Sequence, residues 1–430
     1  MTETRPMSES TDHSPRLSAF NFTDASVQEK PNAFYRALRS EEPVHFEKQL
    51  GMYLVSKHED LTQVFRDPVT FSMEKGYYSQ FAHGYLDELK SILIENGGGW
   101  FPDVVNVDPP HHVRTRALMQ QAFTARRMKS LEPKFEALVD RLIDAFFSKG
   151  QMDGLAELAL PMAIGFAKGQ LNVTDLEQET IRKWGAAYLS MFSLLESQEH
   201  MESMAKELCD LQNYLIELVQ SRIAEPGEDM LSDLIAARID REDGRLTFEE
   251  LVATARAILI NTHDSVSTAL VNILYEVATN REIADEFYSA AEDDKRMAKL
   301  VEEILRLEPP VRAMSRMTTK PVRLGEVDLP EGAHLLLLFA SGNDDESVFP
   351  HAREFDLGRQ NLVQSLSFGA GSHLCLGISL ARMQLRVAAM KAAQRLKNLR
   401  LAVPVEDIRI VPNVALLAKE RLPLRFDQPS

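Results

Sequence analysis

The stretch Phe368-Gly369-Ala370-Gly371-Ser372-His373-Leu374-Cys375-Leu376-Gly377 delivers a cysteine from a glycine-bearing loop to an amphipathic helix, which the spacing predicts from about Leu376 to Lys397. A helix N-terminus carries partial positive charge and unpaired N–H groups, so it stabilises a thiolate and can donate hydrogen bonds to its sulfur. Gly369 and Gly371 let backbone approach a flat ligand closely. On residue chemistry alone three readings stand: a buried cysteine that is only a small hydrophobe, a nucleophile with His373 as its base, or a thiolate facing a flat ligand.

Upstream of this loop lies an irregular polar stretch from Ser341 to Ser372, and before that short β-type runs in PVRLGEVDLPEGAHLLLLFA, residues 321–340. From Asp108 to about Ala278 nearly every segment has helical periodicity, broken at Gly150, Asn172, Pro226/Gly227 and Asp243/Gly244. Leu246 to Asn280 contains neither Pro nor Gly and opens on Thr247 and Glu250, a capping-box pattern. It predicts one helix about 45 to 50 Å long, apolar around most of its circumference and so threaded through a core. Residues 31–67 read as helix, hairpin turning at Gln49 to Gly51, and helix. The first fifteen residues, polar with two prolines, read as a tail. The expected architecture is mainly α with small β-sheets, a single domain over 16–430.

The chain has 430 residues, 44% hydrophobic and 26% charged, which is globular usage with ample length for a core. Lys+Arg 48 against Asp+Glu 64 gives a net charge of -16, which repels nucleic acid and anionic membrane surfaces. Cys209 and Cys375 are the two cysteines, and the polar start has no apolar leader, so a reducing cytoplasm is the expected compartment. Apolar runs such as Leu335 to Ala340 fall far short of the roughly 20 residues a membrane-spanning helix needs.

Three further motifs accompany the cysteine loop: Glu303-Ile304-Leu305-Arg306 with Arg359 downstream, Asp108-Pro109-Pro110-His111-His112-Val113-Arg114-Thr115-Arg116, and Asn261-Thr262-His263-Asp264-Ser265. With that loop, and in this order over about Pro31 to Phe426, the chain resembles the cytochrome P-450 family. The resemblance implies that family's fold, with haem b between the long central helix and the cysteine-loop helix. It implies that Cys375 is the axial thiolate ligand of haem iron, in a loop where Phe368 and Gly369 also meet the cofactor. Glu303 and Arg306, three apart on one helix face, would form an ion pair completed by Arg359 and support the haem site. His112, Arg116, Arg316 and His373 would converge on the haem propionates. The plain alternative for this motif is that His111 and Arg114 simply face solvent.

On the oxygen side the family's A-G-x-[DE]-T element corresponds to Asn261 through Ser265. Asp264 and Ser265 keep the acid and the alcohol that can relay protons to dioxygen. Ser265 lacks the threonine methyl, and Asn261 and Thr262 are larger and more polar than the usual Ala and Gly. Asn261 either bonds to the helix backbone or acts directly on substrate or dioxygen, with Thr262 beside it. His263 is expected to point away from haem and carries no assigned role.

The implied activity is a haem-thiolate monooxygenase that hydroxylates a small to medium apolar organic substrate with dioxygen. No flavin, nicotinamide or iron–sulfur fingerprint is present, so electrons are expected from a separate ferredoxin and ferredoxin reductase. The basic run Arg126-Arg127-Met128-Lys129 is either a ferredoxin contact or a solvated helix end. A peroxide-driven peroxygenase and a haem-based ligand sensor are the rival readings, both disfavoured by the Asp264/Ser265 pair. The substrate pocket is expected along Met73 to Phe101, Tyr188 to Ser197, the central helix and Arg312 to Ser315, with few ionisable anchors.

Overall fold

The protein is described here from a computed structural model covering residues 15–79, 85–102, 104–190, 198–411 and 413–427. Apart from residue 15, the expected N-terminal tail lies outside these. The longer helices, numbered in chain order, are α1 (Asn32–Glu41), α2 (His58–Arg66), α3 (His111–Met119), α4 (Ala125–Phe147), α5 (Leu160–Leu171), α6 (Gln178–Ser190), α7 (Gln198–Ala224), α8 (Phe248–Thr279), α9 (Asp294–Leu307) and α10 (Ile378–Arg395).

Helix α8 organises the molecule. Thr247 accepts the Glu250 N–H at 3.2 Å while the Glu250 carboxylate accepts the Thr247 N–H at 2.8 Å. This reciprocal cap satisfies two donors that would otherwise be stranded at the helix start. Without Pro or Gly to stop it, the helix runs 32 residues, about 48 Å. It packs along α5 and against α6, α7, α9 and α10. Leu251, Ile260, Leu270, Ile273 and Leu274 are buried on different sides of it, which is the expected threading through the core.

The strands gather beside this helical body. Strands β1 (Val44–Glu47), β2 (Met52–Val55), β3 (Phe71–Ser72), β5 (Ala313–Thr318) and β8 (His334–Leu338) form one sheet in the order β1-β2-β8-β5-β3. Its β2–β8 pair is parallel, Tyr53 opposite Leu335, and the remaining pairs are antiparallel. The apolar run of β8 is buried on both faces: Leu335 and Leu337 pack under α2, Leu336 and Leu338 against the N-terminal Phe34 and Leu38. Each such side chain contributes about 1.5–3 kcal/mol by leaving water. Strands β4 (Gln151–Asp153), β9 (Lys397–Leu401) and β10 (Pro423–Asp427) make a second sheet, and β6 (Val322–Leu324) pairs with β7 (Val327–Leu329). The mainly α architecture with small sheets is the one expected.

Candidate active site

The cysteine loop is closed by its own backbone. Cys375 N–H donates to the Phe368 carbonyl at 2.9 Å, and Gly369 N–H donates to the Leu366 carbonyl at 2.8 Å. Gly371 has φ +67, and a Cβ there would collide with the Phe65 carbonyl of α2, so this turn excludes any side chain. Helix α10 starts three residues after Cys375, later than its periodicity suggests, because the loop closure occupies that turn. Cys375 presents exposed surface, yet desolvation raises its thiol pKa. Surface that is both accessible and desolvated is the wall of an interior cavity. The Gly377 N–H and the charges of Arg116 and Arg382 oppose that rise, the combination that favours a thiolate once a cation is near.

Beneath the loop, Glu303 and Arg306 form a bidentate pair at 2.8 and 2.9 Å, both with no exposed surface. Arg359 adds a third contact to Glu303 at 3.1 Å. The cluster reaches the loop through Asn343, whose carbonyl accepts from Arg306 at 2.9 Å. The Asn343 carboxamide accepts from Leu366 N–H at 2.7 Å and donates to the Ser367 hydroxyl at 2.9 Å, and Ser367 donates to the Leu305 carbonyl.

Four donors meet on one side of this loop. His112 and His373 lie with ring centroids 3.9 Å apart. Arg116 donates to the Leu374 carbonyl at 2.6 Å. Arg316 is buried in β5, its guanidinium on the Ser315 carbonyl and the Met73 sulfur. Burial, then the neighbouring Arg116, holds His112 down at about 4; burial, then His112, Arg316 and Arg116, holds His373 down at about 2. Arg316 is pulled to about 10 by burial alone, with Asp108 opposing. Both ring nitrogens of His112 and Nε2 of His373 are buried without hydrogen-bond partners. Crowded donors with orphaned nitrogens, whose neighbouring carboxylate Asp108 is engaged by the Ser72 hydroxyl and the Met73 and Glu74 N–H groups, are what a dianionic ligand edge requires. The residues present therefore fit haem, with a thiol-bearing wall and a polar edge for two carboxylates.

On α8, Asn261 is exposed and Thr262 and Ser265 half-buried, although Ile258, Leu259, Ile260 and Val266 around them are buried. An accessible turn in the middle of a core helix again marks a cavity wall. Ser265 Oγ donates to the Asn261 carbonyl at 3.0 Å, and the helix runs on through this turn without a break. Burial raises the Asp264 carboxyl, opposed by His263. His263 is buried, with Nε2 3.3 Å from Asp264 Oδ2.

Some expectations are corrected. His111 is exposed, with Nε2 2.6 Å from Glu250, but Arg114 does not face solvent: it is buried and binds Glu250 and the carbonyls of Asp243 and Arg245, tying α3 to the capped start of α8. Arg312 does not line this site, because its guanidinium is spent on the carbonyls of Gln28, Asn413 and Leu416. Within the basic run, Arg127 is paired with Asp233, and the Arg126 side chain lies outside the described residues. Residues 80–84 and 191–197 of the expected pocket also lie outside them. A cavity is lined by Tyr77, Phe101, Tyr188 and Leu208, but also by Arg256, an ionisable group not anticipated. Arg256 holds the Phe101 carbonyl at 2.6 Å and Gln212 at 3.2 Å. Asn343, Ser367 and Glu250 were likewise without a sequence signal for these contacts, apart from the capping pattern at Glu250.

Comparison with known proteins places this architecture. The family described as Cytochrome P450 matches residues 166–423. The chain is 30% identical to Cytochrome P450 107B1 of Saccharopolyspora erythraea, over 96% of this chain and 98% of that protein. It is 28% identical to the steroid C26-monooxygenase of Mycobacterium tuberculosis, over 92% and 93%. Among solved structures it is similar to P450BioI in complex with hexadec-9Z-enoic acid ligated acyl carrier protein, with a TM-score of 0.82, 26% identity and coverage of 94% of this chain and 99% of that one. The chain belongs to the cytochrome P450 family, and it is an oxidoreductase whose cofactor is haem b with thiolate ligation. Among the described residues no helix is long and apolar enough to cross a membrane.

Proposed function

We propose that this monooxygenase hydroxylates a medium-sized apolar molecule, a steroid, terpenoid or fatty acyl group, with electrons from a separate ferredoxin and ferredoxin reductase. The observation that carries the site assignment is the meeting of His112, His373, Arg116 and Arg316 beside the accessible sulfur of Cys375. Cys375 would be the thiolate that holds the haem, in the loop formed by Phe368 and Gly369, and the four donors would hold the propionates. When bound, haem supplies the activation of dioxygen. The protein contributes a desolvated thiolate held by the Gly377 N–H and Arg116, and a rigid bed under the loop from Glu303 and Asn343. Burial disfavours the charged form of Asp264 and raises its carboxyl, and Ser265 offers a hydroxyl on the same turn through which a proton can pass. Asn261 and Thr262 add polar groups to that turn and are assigned to the same machinery.

Two relatives support the substrate class: one is named for a steroid, and the other is held with a fatty acyl chain on its carrier protein. A titration of purified protein with steroids, terpenoids and fatty acyl compounds, read at the haem Soret band, tests the class. Turnover of the best binder with ferredoxin and reductase, against peroxide alone, tests the electron source. Turnover only with peroxide would overturn the ferredoxin reading, and no Soret response to any apolar compound would overturn the substrate class.

A further inference from the structure

His263 sits midway along α8 with 1% of its side chain exposed. Opposite it on α6 stands Gly185, where an added Cβ would lie 2.6 Å from the His263 Cε1 and closer still to Nε2. Glycine inside a helix costs about 1 kcal/mol relative to alanine, so α6 gives up stability at the point where the imidazole needs room.

The ring's hydrogen bonds fix its protons. Nδ1 lies 3.2 Å from the Leu259 carbonyl oxygen, which can only accept, so Nδ1 carries hydrogen. Nε2 then faces Asp264 Oδ2 at 3.3 Å. A bare nitrogen lone pair against a carboxylate oxygen is repulsive. The contact becomes attractive with one proton between the two atoms, either on oxygen with both groups neutral or on nitrogen as imidazolium and carboxylate. Asp264 Oδ2 has no hydrogen-bond partner elsewhere and is fully buried, whereas the side chain as a whole is 24% exposed, so the other oxygen remains accessible. Among the described residues, His263 is the one ionisable neighbour acting on Asp264. From α6 the facing residue is Gly185, which brings no charge. Arg256, two turns earlier on the same face, is engaged by Phe101 and Gln212.

We propose that His263 is a positioning residue for proton delivery: it shares a single proton with Asp264 Oδ2, leaves the second carboxyl oxygen facing outward, and depends on the Gly185 notch for that placement. This rests on the reading of α8 as the oxygen side. When the pair gives up its proton through Asp264, neutral imidazole and carboxylate remain, and one proton from solvent water restores it.

The test uses haem-loaded protein with nitrogen-15 histidine, in its diamagnetic ferrous carbon-monoxide form, alongside steady-state turnover. The Nε2 shift of His263 should move on Asp264→Asn, and the Nδ1 shift should not. His263→Leu should lower product formed per reduced nicotinamide about tenfold, with peroxide making up the balance and the pH profile displaced. His263→Gln, which can hydrogen-bond Oδ2 but cannot exchange a proton, should keep haem loading and lose coupling. Gly185→Ala should repeat the His263→Leu behaviour. An Nε2 shift indifferent to Asp264→Asn, or wild-type coupling and pH profile in His263→Leu, overturns the proposal. Wild-type protein that forms no product would instead overturn the broader reading, so the two failures are distinguishable.

Discussion

Arg306 donates to the carbonyl of Asn343 at 2.9 Å, and through that residue a charge cluster on α9 reaches the backbone just ahead of Cys375. The fully buried Glu303–Arg306 pair is thereby coupled to the position of a sulfur it never touches.

Asn343→Leu is expected to strand the Leu366 N–H, at about 1–3 kcal/mol for the unsatisfied group, while the Ser367 hydroxyl loses one contact and keeps the Leu305 carbonyl. The Soret-to-protein absorbance ratio of the variant should fall with little change in far-UV circular dichroism. A variant that loads haem like the wild type would show that the loop holds itself.

Glu303→Ala should be more severe, because it leaves Arg306 buried and uncompensated, about 3–5 kcal/mol for such a pair. Urea unfolding should show a large drop in midpoint together with poor haem retention. Full stability with altered product regiochemistry would contradict a supporting role.

Cys375→Ser should abolish the red-shifted Soret band of the reduced carbon-monoxide complex. Cys209→Ser should leave it intact, since Cys209 is buried in α7 against the Ile92 carbonyl. Persistence of the band in the first variant would reassign the ligand.

Glu276, in the last turns of α8, is pushed up to about 7 by burial, then by the nearby Glu308, with Lys419 and Arg353 opposing. Carbonyl groups at a helix C-terminus also disfavour an anion there. The folded protein therefore keeps a proton that the unfolded chain releases near 4.5, so stability falls as pH rises between about 4.5 and 7. Glu276→Gln should remove that slope, gaining relative to wild type on the order of 2–3 kcal/mol by pH 8. Urea midpoints measured from pH 5 to 8 at constant ionic strength check the sign.

What the sequence discloses here is local. The capping box of Thr247 and Glu250, the Glu303–Arg306 spacing and the Phe368 to Gly377 loop each lie within about ten residues, where helix geometry and turn chemistry decide the outcome. Asn343 is one amide in an irregular polar stretch, and its partners at 306, 366 and 367 are chosen by tertiary packing. Arg114 read as solvent-facing because nothing near it offers a carboxylate; Glu250 does so from 136 positions away. Arg256 was hidden among the residues of a core helix, where its partners Phe101 and Gln212 come from two other segments.

The parallel pairing of Tyr53 with Leu335 joins segments 282 positions apart in one sheet. During synthesis, strands β1 and β2 emerge more than half a chain before the strand that completes their hydrogen bonding. They must wait as an unpaired hairpin, which is marginal alone in water. Cys375 follows β8 by fewer than forty residues, so the cysteine loop and the sheet that carries Arg316 become available almost together, long after β1 and β2. Haem capture is in consequence a late event, and it closes a body whose helical middle has already been made.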